Sequence, residues 1–525
     1  MLTPSGQPGH KIEKVMLLTL WANALKEEMT LDGSINKKKL LFAGIGKPTY
    51  PINQHTIQSY LSYWQRLDSI TKEWYKNPAG IVENTAIEYG DPRGDYEPRA
   101  LMAKIMSYWY QTEIKPDNVL FTVGGIGGLR VIFETLNTHF EDIPGYRVIT
   151  PFPHYSAYST NPLHCLHPID VMTEPGYKLT AKALEASIKE AYALAETDHG
   201  LPKVVLICNP SNPLGNIIDA EEIFKISEIL RGYPDLYIVF DEAYAEMSYV
   251  EMPSFLKIAP DLKERVIIMR SATKALSAAG ERMAVLLVFE QALMNEMLNK
   301  NISYFIHAPR SAQLAYAETM AKFDETERKK ICFFYKKKVD YVIERLKAMG
   351  AAMPDPFYNV EATFYALGNF KDLFGLELPD EVRRVLQRAG KISTDEDLAY
   401  YLLFNDSLMI APLSYFGLAK DSGYIRITCS GDDQELTEIM DRLEFRLFEA
   451  RQLKKIALLE IVTQKISELK KVYPHMHEIV SQKIAILNNQ EDTCLTLKAK
   501  NHVLNTLQSS LESYLGLLGE ISQAT

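Results

Sequence analysis

The chain has 525 residues, 47% hydrophobic and 24% charged, and its 57 Lys and Arg against 67 Asp and Glu leave a net charge of −10. That length exceeds one compact core and predicts three or four structural units, while the composition excludes global disorder, collagen-like sequence and a small disulfide scaffold. The negative charge gives no electrostatic support for nucleic-acid binding.

A helix is predicted over Val15–Met29, with Leu17, Leu18, Leu20, Trp21 and Leu25 on a broad face, and the loop Gly44-Ile45-Gly46-Lys47-Pro48 follows it. From about residue 85 to 300 short apolar runs recur at Val119–Val123, Arg147–Thr150, Val204–Cys208, Leu236–Phe240, Val266–Met269 and Val285–Phe289. Helical patterns such as Gly128–Leu136 and Glu221–Leu230 separate several of them. Buried strands alternating with helices predict a mainly parallel α/β sheet covered on both faces.

Long helices return over Glu325–Met349 and Gln434–Arg451, around a few strands, as expected of a smaller α+β unit. Beyond residue 452 three further helices are predicted: Leu453, Ile456, Leu459, Val462, Ile466 and Leu469 as far as Pro474, then Ile479 to Leu487, then Leu504 to Leu518. The expected division is 1–84 (an N-terminal arm and part of a small domain), 85–324 (the large domain), 325–451 (a small C-terminal domain) and 452–525 (a helical extension).

Cys165, Cys208, Cys332, Cys429 and Cys494 are far apart, which suits unpaired thiols in a reducing compartment and gives no zinc-finger spacing or other metal site. No apolar run reaches the ~18–20 residues of a membrane helix, and the N-terminal residues lack the pattern of a secretory signal. A soluble, cytoplasmic protein without membrane or nucleic-acid partners is expected.

Chemistry concentrates at four strand ends, where an open parallel sheet places its ligands. In order they are Gly124-Gly125-Ile126-Gly127-Gly128, Asn209-Pro210-Ser211-Asn212-Pro213, Asp241-Glu242-Ala243-Tyr244 and Ser271-Ala272-Thr273-Lys274. A glycine stretch opening a helix can offer free amides to a phosphate. A dinucleotide fingerprint is the rival reading, but Arg130 stands where its third glycine belongs. Asp241 ends an apolar strand, where a carboxylate needs a cation or a strong donor, such as a protonated ring nitrogen. A lysine in a partly desolvated site can lose its proton and form a Schiff base with a carbonyl, and Ser271, Thr273 and Arg282 can add charge-assisted bonds to a phosphate. Together these groups describe a site for an aldehyde-bearing, phosphorylated pyridine, pyridoxal 5′-phosphate.

Over roughly residues 40–450 the sequence resembles the fold-type I pyridoxal-phosphate enzymes of the class I/II aminotransferase family. Asn209-Pro210-Ser211-Asn212-Pro213-Leu214-Gly215 resembles that family's N-P-x-N-P-[TL]-G loop, and Asp241-Glu242-Ala243-Tyr244 its D-E-x-Y strand end. Ser271-x-x-Lys274 with Gly280-x-Arg282 resembles its Schiff-base segment. Tyr89 with Gly94 and Arg99 resembles its Y-x-x-x-x-G-x-x-x-L-R element, with Pro98 in place of the leucine, and Tyr424-Ile425-Arg426-Ile427 resembles its late carboxylate-binding arginine strand.

The resemblance implies an α/β, type I transferase fold: a large domain with a mainly parallel sheet between helices, a smaller α+β domain and extra C-terminal helices. It implies Lys274 as the Schiff-base and proton-shuttling residue, Asp241 on the pyridinium nitrogen, and Asn212 and Tyr244 on the phenolic oxygen. Tyr155 is implied to stack on the ring, with Tyr158 available for the same place or for the core. The phosphate falls to the amides of Gly125 and Ile126 with Ser271, Thr273 and Arg282, and Tyr89 is implied to reach the phosphate of a neighbouring subunit in a homodimer with shared active sites. Arg426, helped by the Gly46 backbone, is implied to bind the substrate carboxylate.

Within such a family, transfer of an amino group between an L-amino acid and a 2-oxo acid is the expected reaction. The alternative is a carbon–carbon lyase such as aspartate 4-decarboxylase, to which Leu41-Phe42-Ala43-Gly44-x-Gly46-x-Pro48 and the chain length bear a likeness. A regulatory cofactor-binding module with the helical tail as its working part is a third reading. Arg310 and Lys47 are candidates for a distal substrate carboxylate.

Overall fold

A computed structural model describes residues 13–31, 39–80, 86–139, 146–160, 165–472 and 474–524. The expected boundary at 84/85 and the N-terminal sequence read for a secretory signal lie outside the described residues.

The N-terminal helix, α1 (Lys14–Leu31), precedes a two-residue strand, β1 (Leu41–Phe42), and two long helices, α2 (Gln54–Lys76) and α3 (Tyr96–Tyr110). Strands β2 (Val119–Val123), β3 (Tyr146–Phe152), β4 (Cys165–Asp170), β5 (Leu201–Cys208), β6 (Tyr237–Asp241), β7 (Val266–Ser271) and β8 (Met283–Val288) then form one seven-stranded sheet in the order β2-β8-β7-β6-β5-β3-β4. All six predicted strands are present. β4 was not predicted, because Cys165-Leu166-His167-Pro168-Ile169-Asp170 interrupts its apolar residues with His and Pro at the sheet edge. The sheet is parallel except for β8, which runs antiparallel to both neighbours.

Alternation along the strands divides two cores. Val204, Leu206, Val239 and Ile267 face one side, where α4 (Gly124–His139) contributes Leu129, Ile132, Phe133 and Leu136. Val205, Ile207, Ile238 and Ile268 face the other, with Leu184 and Ile188 of α5 (Ala181–Asp198) and Ile223 and Ile226 of α6 (Ala220–Arg231). Both faces are therefore apolar, which is why these strands read as short continuous apolar runs.

After the short helix α7 (Phe255–Ile258) and the helices α8 (Gln291–Phe305) and α9 (Arg310–Lys322), the long helix α10 (Glu325–Ala348) leads to a second, antiparallel sheet. Its strands β9 (Tyr365–Asn369), β11 (Ala411–Pro412) and β12 (Tyr424–Thr428) lie in the order β11-β12-β9, while β10 (Leu408–Met409) pairs in parallel with β1. Helices α11 (Asp380–Leu386) and α12 (Asp395–Asp406) lie between β9 and β10. The capping box of Thr394 and Asp397 starts α12.

The helices predicted on either side of residue 452 are one 40-residue helix, α13 (Asp433–Val472), since nothing in Arg451-Gln452-Leu453-Lys454 breaks it. α14 (Pro474–Asn488) and α15 (Cys494–Ala524) complete the extra C-terminal helices. Buried Arg451 fastens them: its guanidinium donates to Asp372 Oδ2 at 2.7 Å and to the Cys494 carbonyl at 2.9 Å, and its own carbonyl accepts from Asn501 at 2.8 Å. Farther along, Val462, Ile466 and Leu511 form a small core of their own. Among the described residues no helix is long and apolar enough to cross a membrane.

Candidate active site

The sheet places its polar strand ends on one edge. Cys208, Asp241 and Met269 are level with one another in β5, β6 and β7. Because β8 is antiparallel, its first residue, Met283, pairs with Val123 at the far end of β2. Arg282, just before β8, is thereby brought beside Gly124 and the end of β7. A cavity of about 300 Å³ opens there, lined by Gly46, Gly125, Ile126, Tyr155, Asn212, Asp241, Tyr244, Ser271, Thr273, Lys274, Arg282 and Arg426. Of the residues assigned above to the cofactor or the α-carboxylate, other than Tyr158 as the alternative to Tyr155, Tyr89 alone is absent from this wall. It is 81% exposed and packs edge-on against His307.

Asp241 is 3% exposed at the end of an apolar strand. Tyr158 donates to its Oδ2 at 2.6 Å and the Ala243 amide to its Oδ1 at 3.2 Å. Burial raises the Asp241 carboxyl above the usual carboxylate range, and these two hydrogen bonds oppose the rise. Lys274 Nζ donates to the Gly46 carbonyl at 2.6 Å. Burial lowers the Lys274 ammonium below the ordinary lysine value, and Arg426 and Arg282 add repulsion. A lysine held this way is closer to the neutral amine that attacks a carbonyl.

Arg426 is 3% exposed and reaches from β12 to the loops that follow β5 and β1. It donates to Asn212 Oδ1 at 2.8 Å and to the Gly44 carbonyl at 2.6 Å, and it lies between the rings of Tyr365 and Phe416, at 4.1 and 4.7 Å from their centroids. Its Nε is buried without a partner, and no carboxylate among the described residues pairs with it. A buried guanidinium with a free donor suits an incoming carboxylate.

At the other end of the cavity, Gly124 has φ +70° and a Cβ there would overlap the Arg282 guanidinium. Helix α4 begins at this residue, so the amides of its first turn have no partners within the helix. Ser271 and Thr273 share a hydrogen bond, and the Thr273 amide donates to Ser271 Oγ at 3.1 Å. First-turn amides, two hydroxyls and a guanidinium form a cradle for a phosphate. With the buried carboxylate and the amine, this donor set fits pyridoxal 5′-phosphate.

Sequence reasoning missed several lining residues and left Tyr158, which stands outside this wall, open between the ring and the core. Tyr158 is core by burial, yet its hydroxyl serves Asp241. The Tyr365 hydroxyl lies 2.8 Å from that of Tyr244, and Asn212 Nδ2 is 3.4 Å from the Tyr244 oxygen. Glu13, Val15 and Met16, at the start of α1, also line the cavity. No local spacing points to Tyr365 or Glu13. For Tyr158 the signal was present, three residues after Tyr155. The candidates for a distal carboxylate lie elsewhere: Arg310 donates to Asp95 Oδ2 at 2.7 Å, and Lys47 is exposed.

The sequence pattern of the family described as "Aminotransferase class I and II" matches residues 67–443. The Bacillus subtilis protein YugH, named as an aminotransferase, is 26% identical over 382 residues, 71% of this chain and 87% of its own. The aspartate aminotransferase of Thermotoga maritima is 26% identical over 379 residues, 70% of this chain and 88% of its own. In fold, the crystal structure of the Rhizobium meliloti aspartate aminotransferase superposes with a TM-score of 0.65 at 20% identity, covering 84% of this chain and 98% of that one. The chain belongs to the aminotransferase class I and II family, and it is a transaminase of that pyridoxal-phosphate-dependent family.

Proposed function

We propose that the enzyme transfers an amino group between an L-amino acid and a 2-oxo acid with Lys274 as its covalent anchor. The observation that carries this reading is the convergence of Lys274, Asp241, Arg282 and Arg426 on one cavity. When bound, pyridoxal 5′-phosphate supplies an aldehyde and an electron-accepting ring. Lys274 would hold it through Nζ, and Asp241 would keep the ring nitrogen protonated. Tyr244 and Asn212 would bond the phenolic oxygen, and Tyr155 would cover the ring. The Gly125 and Ile126 amides, Ser271, Thr273 and Arg282 would hold the phosphate. Arg426 and the Gly46 loop would orient the substrate carboxylate, leaving Lys274 Nζ to take the Cα proton and return it on the cofactor side.

The relatives compared above are named as aminotransferases, which favours amino transfer over β-decarboxylation. A homodimer extends the reading: exposed Tyr89 is then offered to a neighbouring subunit. Unpaired Cys208, Cys332, Cys429 and Cys494 support a cytoplasmic enzyme. The domain division at 324/325 is kept within this reading, whereas 451/452 falls inside the continuous helix α13.

Borohydride reduction of the purified enzyme with pyridoxal phosphate, followed by peptide mapping, tests it. The label is expected on Lys274 in wild type and absent from Lys274→Ala. Label on another lysine, or aspartate converted to alanine and CO₂ without a 2-oxo acid, overturns it.

A further inference from the structure

The cavity holds five charged side chains: Glu13, Asp241, Lys274, Arg282 and Arg426. Four have counterparts under the proposed function, since the cofactor engages Lys274, Asp241 and Arg282 and the α-carboxylate engages Arg426. Glu13 has none. Its carboxylate accepts a hydrogen bond from Ser156, beside Tyr155, and no cation among the described residues pairs with it.

Its position is well held. The Glu13 carbonyl accepts from the Leu17 amide at 3.0 Å, which makes Glu13 the residue that caps α1. The positive end of that helix favours a carboxylate there. Helix α1 is itself anchored: Val15, Leu18 and Ala22 are buried, Trp21 packs edge-on against Phe404, and Lys14 pairs with Glu396 at 3.2 Å. Beside the carboxylate, Val15, Met16, Ile126 and Leu129 supply an apolar wall of the kind that takes the methylenes of a long side chain.

We infer that Glu13 is a specificity-determining residue, and that the preferred amino donor carries a terminal ammonium on its side chain, as lysine and ornithine do. The inference rests on the transaminase reading of the site. In a partly desolvated cavity a charge-assisted bond between Glu13 and such an ammonium is favourable. A donor with a second carboxylate meets Glu13 as a like charge and, among the described residues, finds no unengaged cation on the wall, because Arg310 is paired with Asp95 and Lys47 is exposed.

Matched donors test this on the holoenzyme. Ornithine and norvaline differ by the terminal amine, as do lysine and norleucine. In wild type, kcat/KM for ornithine or lysine is expected to exceed that for its apolar partner, and that for aspartate, by about tenfold or more. Glu13→Gln is expected to reduce the ornithine-to-norvaline ratio by about tenfold, mainly through KM. Glu13→Lys is expected to shift preference toward aspartate and glutamate. Calorimetric binding of α-methylornithine and α-methylaspartate, which lack the transferable Cα proton, is expected to follow the same order. Preference for aspartate in wild type, or an unchanged ratio in Glu13→Gln, overturns the inference alone. Absence of turnover with every donor, together with failure to trap Lys274, overturns the functional reading and this inference with it.

Discussion

Lys274 Nζ reaches the Gly46 carbonyl at 2.6 Å across 228 positions of sequence, so the loop after β1 lies directly over the end of β7. A side chain at Gly46 would force neighbouring side chains to move. A Cβ there would overlap the Tyr365 hydroxyl and stand 3.3 Å from Lys274 Nζ. Gly46→Ala is therefore expected to displace both groups and lower kcat/KM by about 10²-fold, as a misplacement of about 1 Å does at a reacting centre. Since no positive φ is required at Gly46, the urea midpoint of the protein is expected to move little. Steady-state kinetics beside urea unfolding checks this, and an unchanged kcat/KM would show that the loop does not position Lys274.

Arg426 is buried between two rings, with donors already committed to Asn212 and Gly44. A lysine cannot reproduce the planar fork that leaves Nε free. Arg426→Lys is expected to raise KM for amino donor and 2-oxo acid together, by about 10- to 100-fold, the worth of a charge-assisted bond in a buried site. Binding of an α-methyl amino acid measures the same loss without turnover.

Tyr158 and the Ala243 amide are the donors found on Asp241. Removing the hydroxyl by Tyr158→Phe takes away one of the two bonds that oppose the effect of burial, so the Asp241 carboxyl is expected to rise further. A carboxyl that holds its proton more readily is a poorer partner for a protonated ring nitrogen. Cofactor affinity is expected to fall by about tenfold, for a loss of about 1–2 kcal/mol, measured by equilibrium dialysis of pyridoxal phosphate. Affinity equal to wild type would assign Tyr158 to packing.

Behind Asp241 lies a buried charged group that does not face the cavity. Glu242 is pushed up to about 7 by burial, although Arg270 stands 3.5 Å away and Tyr110 donates to it. Between the ordinary 4.5 and about 7 the unfolded chain has released this proton and the folded chain retains it. The folded state then binds more protons, so this group's contribution to stability falls as pH rises through that window. Wild type is expected to lose on the order of 2 kcal/mol relative to Glu242→Gln between pH 5 and pH 7. Urea unfolding of both proteins at the two pH values reads the difference, and parallel pH profiles would contradict it.

The strands and the order of their polar ends were legible because both are local properties. Val204–Cys208 and Val266–Met269 are apolar on both faces, and a strand buried on both faces needs no distant information to be recognised. Asp241 stood out for a similar reason, as a charge ending an apolar strand that requires a partner, and Lys274 stood out because it follows another strand after the hydroxyls of Ser271 and Thr273. Even the three C-terminal helices followed from spacing, although the absence of a breaker near residue 452 joins the first of them to the helix before it.

What the chain itself determined, then, is which segments become strands and helices and which residues carry the chemistry, because periodicity and desolvation act over a few residues. Tertiary structure decided which of those residues meet. The antiparallel course of β8 returns Arg282 to the glycine turn, Tyr365 reaches Tyr244 across 121 positions, and Ser156 reaches Glu13 across 143. Such meetings depend on how cores pack and how strands are ordered, and these are set by free energies summed over the whole molecule rather than by any one stretch of sequence.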